Sequence, residues 1–168
     1  MKIAFKRFFV ILILLSVGKL LPAQDTNFST STTVGITTPI LDNGSGFHIG
    51  VNPAYSVSPR FSLEGQVSYL YTKINGSFIS GNQGKSNAVN TLVGGRLYLS
   101  SEERPNRLYI NLLVGGNYNN EEIDGRANGG EFSGGFSVGG YVAFRKILLG
   151  LSYDTPQNLI LKVGYVFE

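Results

Sequence analysis

The sequence predicts an all-β chain, folded as an eight-stranded antiparallel up-and-down barrel that spans a membrane, after an N-terminal signal peptide. Three observations predict it. Runs of period two recur along the chain, and no segment sustains a helical period. Large apolar side chains share one face of these runs, while charge falls on the other. Aromatic residues gather at the ends of the apolar faces and leave Val, Leu, Ile and Gly in the middle. Composition agrees, because 22 Gly, 9 Tyr, 11 Phe and only 15% charged residues suit a sheet better than helices. The absence of Cys excludes a disulfide framework and a thiolate metal site.

The N-terminus reads MKIAFKRFFVILILLSVGKLLPAQ. Lys2, Lys6 and Arg7 precede an apolar run from Phe8 to Val17, which is too short to cross a bilayer as a helix. Ala23 offers a small residue for cleavage, although Leu21 two positions earlier is larger than usual. Residues 1–23 are therefore expected to be a signal peptide and residues 24–168 a single barrel domain. Lys2, Lys6, Arg7 and Lys19 leave with the signal, so the formal +3 falls to about −1. The high isoelectric point belongs to the targeting segment and gives no support for nucleic-acid binding.

Eight runs follow in order. The first, Phe28 to Thr38, alternates weakly. The second runs from Phe47 to Val57 and the third from Arg60 to Thr72. The third separates cleanly into Phe61, Leu63, Gly65, Val67, Tyr69 and Tyr71 on one face, against Ser62, Glu64, Gln66, Ser68, Leu70 and Thr72 on the other. The fourth spans Val89 to Ser100. The fifth, Arg107 to Tyr118, sets Leu108, Ile110, Leu112, Val114, Gly116 and Tyr118 against Tyr109, Asn111, Leu113, Gly115 and Asn117. The sixth spans Phe132 to Phe144, the seventh Ile147 to Asp154, and the eighth is the C-terminal run Leu159 to Phe167. From the second run onward the apolar faces carry no charge, and the opposite faces carry Glu64, Arg96, Asp154 and Lys162 among many Gly, Ser and Asn. A soluble barrel or sandwich would turn its large apolar residues inward. This distribution suits a narrow barrel turned inside out, with bulk in lipid and small polar groups within.

Aromatic positions support the same reading. Phe47, Tyr69, Tyr71, Tyr118 and Tyr153 lie toward one end of their runs, and Tyr55, Phe61, Phe144, Tyr165 and Phe167 toward the other. Two belts around an aliphatic band are expected where a barrel meets both interfaces of a bilayer. Connections alternate as well. SVSPR, SSEERPN and RK are mostly short; PILDNGSG, INGSFISGNQGKSN and NNEEIDGRANGGE are mostly longer and carry Asn-Gly turn signals. The last connection, DTPQ, is very short, so the seventh and eighth runs are expected to form a lower wall.

The stretches RFSLEGQVSYLYT and RLYINLLVGGNY, the signal-like start and the ending LKVGYVF together resemble the small eight-stranded outer-membrane barrels of the OmpA/OmpX type. The resemblance covers nearly all of the chain after Ala23 and rests on architecture. It implies residence in the outer membrane with both termini periplasmic, contact with outer-membrane lipid and a monomeric state. It also implies that Leu161, Val163, Tyr165 and Phe167 form a C-terminal signal for the outer-membrane assembly machinery. Glu168 departs from that pattern, which more often ends on the aromatic itself. The peptidoglycan-binding role of longer relatives is not carried over.

Candidate chemistry is sparse. The single histidine, His48, falls on the polar face of the second run. A catalytic role would need a Ser and a carboxylate beside it, and lipid-facing chemistry would need it outward. No catalytic residue is assigned. Glu121, Glu122, Asp124 and Glu131 lie in the third long connection, without the spacing of a calcium loop, and read as a solvated acidic surface. No metal ligand and no cofactor is assigned. The Gly pairs are not phosphate loops, since no helix follows them, and in barrel strands they allow curvature or close backbone approach.

One constellation is expected inside the barrel. Glu64 lies near the start of the third run and Arg96 near the end of the fourth. These are antiparallel neighbours, so the two side chains should meet in the lumen, with Lys162 entering from the eighth run at a similar level. A lone charge there would be costly, and a paired one is tolerable. The expected function is that of a non-enzymatic integral outer-membrane barrel with a structural or surface-interaction role in the envelope. The alternatives are an outer-membrane enzyme that modifies lipid A, or a soluble periplasmic lipocalin-like carrier.

Overall fold

The computed structural model describes residues 27–39, 44–75, 83–100, 106–156 and 158–167. The expected signal peptide and Glu168 lie outside the described residues. Eight strands follow in chain order: β1 (Phe28–Pro39), β2 (Gly44–Ser58), β3 (Phe61–Asn75), β4 (Gln83–Tyr98), β5 (Asn106–Ile123), β6 (Arg126–Phe144), β7 (Ile147–Asp154) and β8 (Asn158–Phe167). Each pairs antiparallel with its neighbours in sequence. β8 closes on β1 from Thr30↔Phe167 to Pro39↔Asn158. The result is a closed up-and-down barrel. Closure matters because a backbone edge left open in hydrocarbon would have no hydrogen-bonding partner.

Across the central part of the barrel, side chains alternate between the two surfaces. In β5 the residues Tyr109, Asn111, Leu113 and Asn117 are buried, while Leu108, Ile110, Leu112 and Val114 are exposed. Val93 and Ile36 each leave 65% of their surface open, and Leu112 leaves 60%. A chain with this outer surface in water would expose a continuous apolar band, far beyond the patches that soluble monomers carry. Aromatic rings bound the band. Phe47 stacks on Tyr71 with centroids 5.5 Å apart, and Phe136 stacks on Tyr153 at 5.6 Å. At the opposite rim Tyr165 meets Phe167 edge-on at 4.9 Å, near the exposed Tyr55, Phe61 and Phe144.

The lipid face makes a first prediction. Val93→Arg, in the middle of the band, should destabilise the folded barrel by about 2–4 kcal/mol, whereas Val57→Arg near the rim should cost about 0–1 kcal/mol. Guanidinium titration of the barrel refolded in vesicles measures both. Equal costs at the two depths would contradict the placement of the band.

The structure corrects two expectations. The connection between the fifth and sixth strands was expected to be a long loop across residues 119–131. Instead β5 and β6 continue through it to a tight turn at Asp124 and Gly125, with φ of 49° and 76°. Asp-Gly accepts two successive positive φ values, which is why a two-residue hairpin turn can form there. The sequence signal failed because this part of the sheet carries Asn119, Asn120, Glu121 and Glu122, polar on both faces, so no alternation marks it. β4 likewise begins at Gln83 and not at Val89. A tilted strand crosses a bilayer in about 9–11 residues. β5 and β6, of 18 and 19 residues, are far longer than that, whereas β7 has 8 and ends at Asp154 opposite Ser137. The wall is therefore high at β5–β6 and low at β7–β8.

The second correction concerns the interior. Small polar groups were expected within, but Leu70, Leu92, Leu113, Leu148, Ile160, Tyr98, Tyr109 and Tyr141 are all buried there. An eight-stranded ring encloses a space that side chains must fill, and Ser and Gly alone would leave voids. Glycine serves a separate purpose at Gly94 and Gly115. A Cβ at Gly94 would collide with the carbonyl oxygen of Leu112, and one at Gly115 with that of Thr91, so only glycine lets β4 and β5 approach so closely.

Candidate functional site: a charged network across the lumen

The inward faces of β2 to β8 converge on one polar layer. Period-two alternation sends Asn52, Glu64, Gln66, Arg96, Asn111, Ser137, Asp154 and Lys162 inward, and each is nearly or fully buried. The stagger of the ring decides which of them meet. The row of paired residues that starts at Glu64 passes through Gly94, Leu113 and Ser137 and ends at Asp154. Asp154, at the end of a short strand, is thereby brought level with residues placed early in β3.

Glu64 receives Arg96. Arg96 Nε donates to Glu64 Oε2 at 3.0 Å, and Asn111 Nδ2 donates to the same oxygen at 3.4 Å. Asn52 Nδ2 donates to Glu64 Oε1 at 3.0 Å. Lys162 goes elsewhere: its Nζ donates to Asp154 Oδ2 at 2.9 Å, and it also reaches Tyr141 Oη at 3.4 Å. Gln66 Nε2 and Ser137 Oγ complete the Asp154 carboxylate at 3.1 and 2.6 Å. Asn52 also donates to Gln66 Oε1 at 3.1 Å, so the two ion pairs are joined into one chain through Asn52 and Gln66. Each buried carboxylate has a cation and amide or hydroxyl donors, the condition under which buried charge is tolerated.

Aromatic rings close the layer on one side. Tyr98, Tyr109 and Tyr141 occupy paired positions on β4, β5 and β6. Tyr109 and Tyr141 stack at 5.0 Å, and Tyr98 meets Tyr109 edge-on at 5.5 Å. The Arg96 guanidinium lies 4.3 Å from the Tyr109 ring centre, and that of Arg107 lies 3.8 Å from Tyr98. Such contacts strengthen when desolvated. On the other side Leu70, Ala88 and Ile160 form a small apolar cluster. On β4 and β5, between the ion pairs and Ala88, Asn117 donates to Asn90, and Asn90 Nδ2 donates to the Thr155 carbonyl at 2.8 Å, which ties the β7–β8 turn to the barrel wall.

His48 is fully buried with its Nε2 at 3.9 Å from Asp154 Oδ2, too long for a hydrogen bond. That carboxylate is already engaged by Lys162, Gln66 and Ser137. Glu122 pairs with Lys85 at 2.8 Å on the exposed β4–β5 surface, and Glu121 accepts from Asn119 at 2.7 Å. Among the described residues no group of three or more His, Asp or Glu is placed to hold a metal ion. At the C-terminal strand Leu161, Val163, Tyr165 and Phe167 all point outward and are exposed. Sequence reasoning placed Asp154 on the polar face but assigned it no partner, and it missed the Tyr98–Tyr109–Tyr141 ladder. The available signal was three tyrosines at matching depth on polar faces of successive strands.

Comparison with solved structures yields the same ring. Ail, the attachment invasion locus protein of Yersinia pestis, solved with the heparin analogue sucrose octasulfate, superposes with a TM-score of 0.55 at 12% identity, over 84% of this chain and 100% of that one. Neisserial surface protein A gives 0.53 at 14% identity, over 83% and 94%. The N-terminal β-barrel domain of Pseudomonas aeruginosa OprF gives 0.50 at 12% identity, over 86% and 100%. The fold is that of the small outer-membrane β-barrels. No protein-family model and no curated protein sequence matches this chain. At such low identity the likeness concerns the barrel, and the lumen network has to be understood from this chain's own residues.

Proposed function

We propose that this chain is a monomeric integral outer-membrane barrel with a structural or surface-contact role and no enzymatic activity, inserted with its termini and short turns on the periplasmic side. The observation that carries the reading is the inverted distribution of side chains: an exposed aliphatic band between two aromatic rims, around a side-chain-filled lumen that holds buried ion pairs. A soluble lipocalin-like carrier would need an apolar cavity inside and a polar surface outside, the reverse of this arrangement. A lipid A-modifying enzyme would need reactive groups at the lipid face. His48 points into the lumen, and its neighbouring carboxylate is committed to a lysine. The exposed β3–β6 region carries Glu121, Glu122, Asp124 and Glu131 against Lys73, Lys85 and Arg126, so a polysulfated partner is not part of the proposal.

Envelope fractionation tests the location, and electrophoresis with and without boiling tests the barrel. The expected result is an outer-membrane protein whose mobility shifts on heating and whose lipid A is unchanged when His48→Ala replaces the native chain. Recovery in the soluble periplasmic fraction would refute the proposal, as would a lipid A modification that disappears with His48→Ala.

A further inference from the structure

The ladder between β2 and β3 is broken at one place within the wall. Pairing runs from Gly44↔Ile74 to Val51↔Val67, stops, and resumes at Ala54↔Glu64. Among the described strand pairs the other irregularities, at Ser56/Ser58 and Asn120/Glu122, lie close to turns. The missing pairs are Asn52 with Gln66 and Pro53 with Gly65. Ser56 N–H bonds to Asn27 on the β1 side, and the Arg60 carbonyl accepts from Tyr98 on the β4 side. Backbone groups alternate in direction along a strand, so Pro53 and Gly65 aim theirs at each other. Proline has no N–H to give, which leaves the Gly65 carbonyl without its ladder donor in a wall that faces hydrocarbon. Outside this point Phe28, Pro53, Tyr55, Leu63, Gly65 and Val93 line an open groove of about 500 Å³.

We infer that this seam is where the barrel wall opens sideways, and that Asn52 and Gln66 are the latch that holds it shut from the lumen. The two side chains stand at the broken pair on the inner face, and Asn52 Nδ2 donates to Gln66 Oε1 at 3.1 Å across the gap. A side-chain bond thus stands in for the backbone bond that Pro53 withholds. Asn52 makes a second bond across the same seam, to Glu64 Oε1 at 3.0 Å. Gln66 Nε2 reaches Ser68 Oγ and Asp154 Oδ2, each at 3.1 Å. The latch is therefore tied to both ion pairs, so a change in either pair reaches the wall. Local opening begins where backbone hydrogen bonding is weakest. Releasing the latch joins the apolar outer groove to the charged lumen.

Native-state hydrogen exchange of the barrel refolded in detergent micelles reads each seam separately. The Gly65 and Val67 amides should exchange at least about tenfold faster than those of Leu113 and Ser137, which pair in the uninterrupted part of the β5–β6 ladder. Asn52→Ala and Gln66→Leu should each speed exchange at Gly65 and Val67 by about a further tenfold and leave Leu113 and Ser137 little changed. Pro53→Val, which restores the N–H, should bring the seam to the β5–β6 rate and cancel most of the Asn52→Ala effect. Heat-shifted electrophoretic mobility establishes that each barrel is intact. Equal exchange at the two seams of the native protein overturns the inference. So does acceleration by the latch variants that spreads equally to both seams, or that Pro53→Val does not reduce. Where the latch variants fail to fold, the native comparison and Pro53→Val alone decide the matter.

Discussion

Deleting Tyr165 to Glu168, or changing Tyr165→Ala together with Phe167→Ala, is expected to reduce outer-membrane yield far more than Glu168→Ala. Two physical effects combine. The deletion strips the pairing partners from Thr30, Ser31 and Thr32 on β1 and from Ile147 on β7. Each backbone group left unpaired within a bilayer costs several kcal/mol. The double alanine variant keeps the backbone but removes the edge-on ring pair that anchors the closing strand at the rim. Aromatic belts position a barrel at the interface, so their loss at the seam between the first and last strands weakens insertion where closure must occur. Quantifying heat-modifiable protein in purified outer membranes measures the effect. Equal yields from all three variants would show that the ending has no role in assembly.

Asp154→Ala is expected to lower the unfolding free energy of the refolded barrel by about 3–5 kcal/mol, because it leaves Lys162 buried without a counter-ion. Lys162 is 1% exposed, so its ammonium is held away from bulk solvent in the native barrel. The loss should be largely reversed by adding Lys162→Met, which removes the stranded charge while keeping its volume, since a well-packed apolar replacement of a buried pair is often neutral or better. Equilibrium unfolding in denaturant, in the same vesicles, resolves the comparison. A single variant within about 1 kcal/mol of the native barrel would mean that the pair contributes no more than an exposed one. A double variant no better than the single would place the damage in lost packing and not in unpaired charge. Glu64→Ala should behave like Asp154→Ala, with Arg96 as the stranded partner, and Gln66 and Asn52 should couple the two sites so that their costs do not add.

The faces of the strands could be read without a structure, because alternation has a period of two whatever the strand pairs with. Phe61 to Tyr71 against Ser62 to Thr72 assigns outside and inside for β3, and the structure has the same two faces. The same reading failed for β5 and β6 beyond Tyr118. There the sheet is polar on both faces, and period two leaves no mark where neither side is apolar. Glu64 and Arg96 could be placed on one face of adjacent hairpin strands, a local relation that antiparallel pairing makes nearly unavoidable, and they stand 3.0 Å apart. The partner of Lys162 could not be placed in this way. Depth along a strand is a poor guide to height in a tilted barrel, because each strand is displaced relative to the last and the displacement accumulates around the ring. That accumulated stagger carries the row of Glu64 to Asp154, and it lets Gln66 donate to a carboxylate 88 residues away. The alternating sequence by itself determined which residues enter the lumen; beyond adjacent hairpin strands only the closed ring decided which of them touch, since contact across a barrel depends on strand tilt and shear that no single strand encodes.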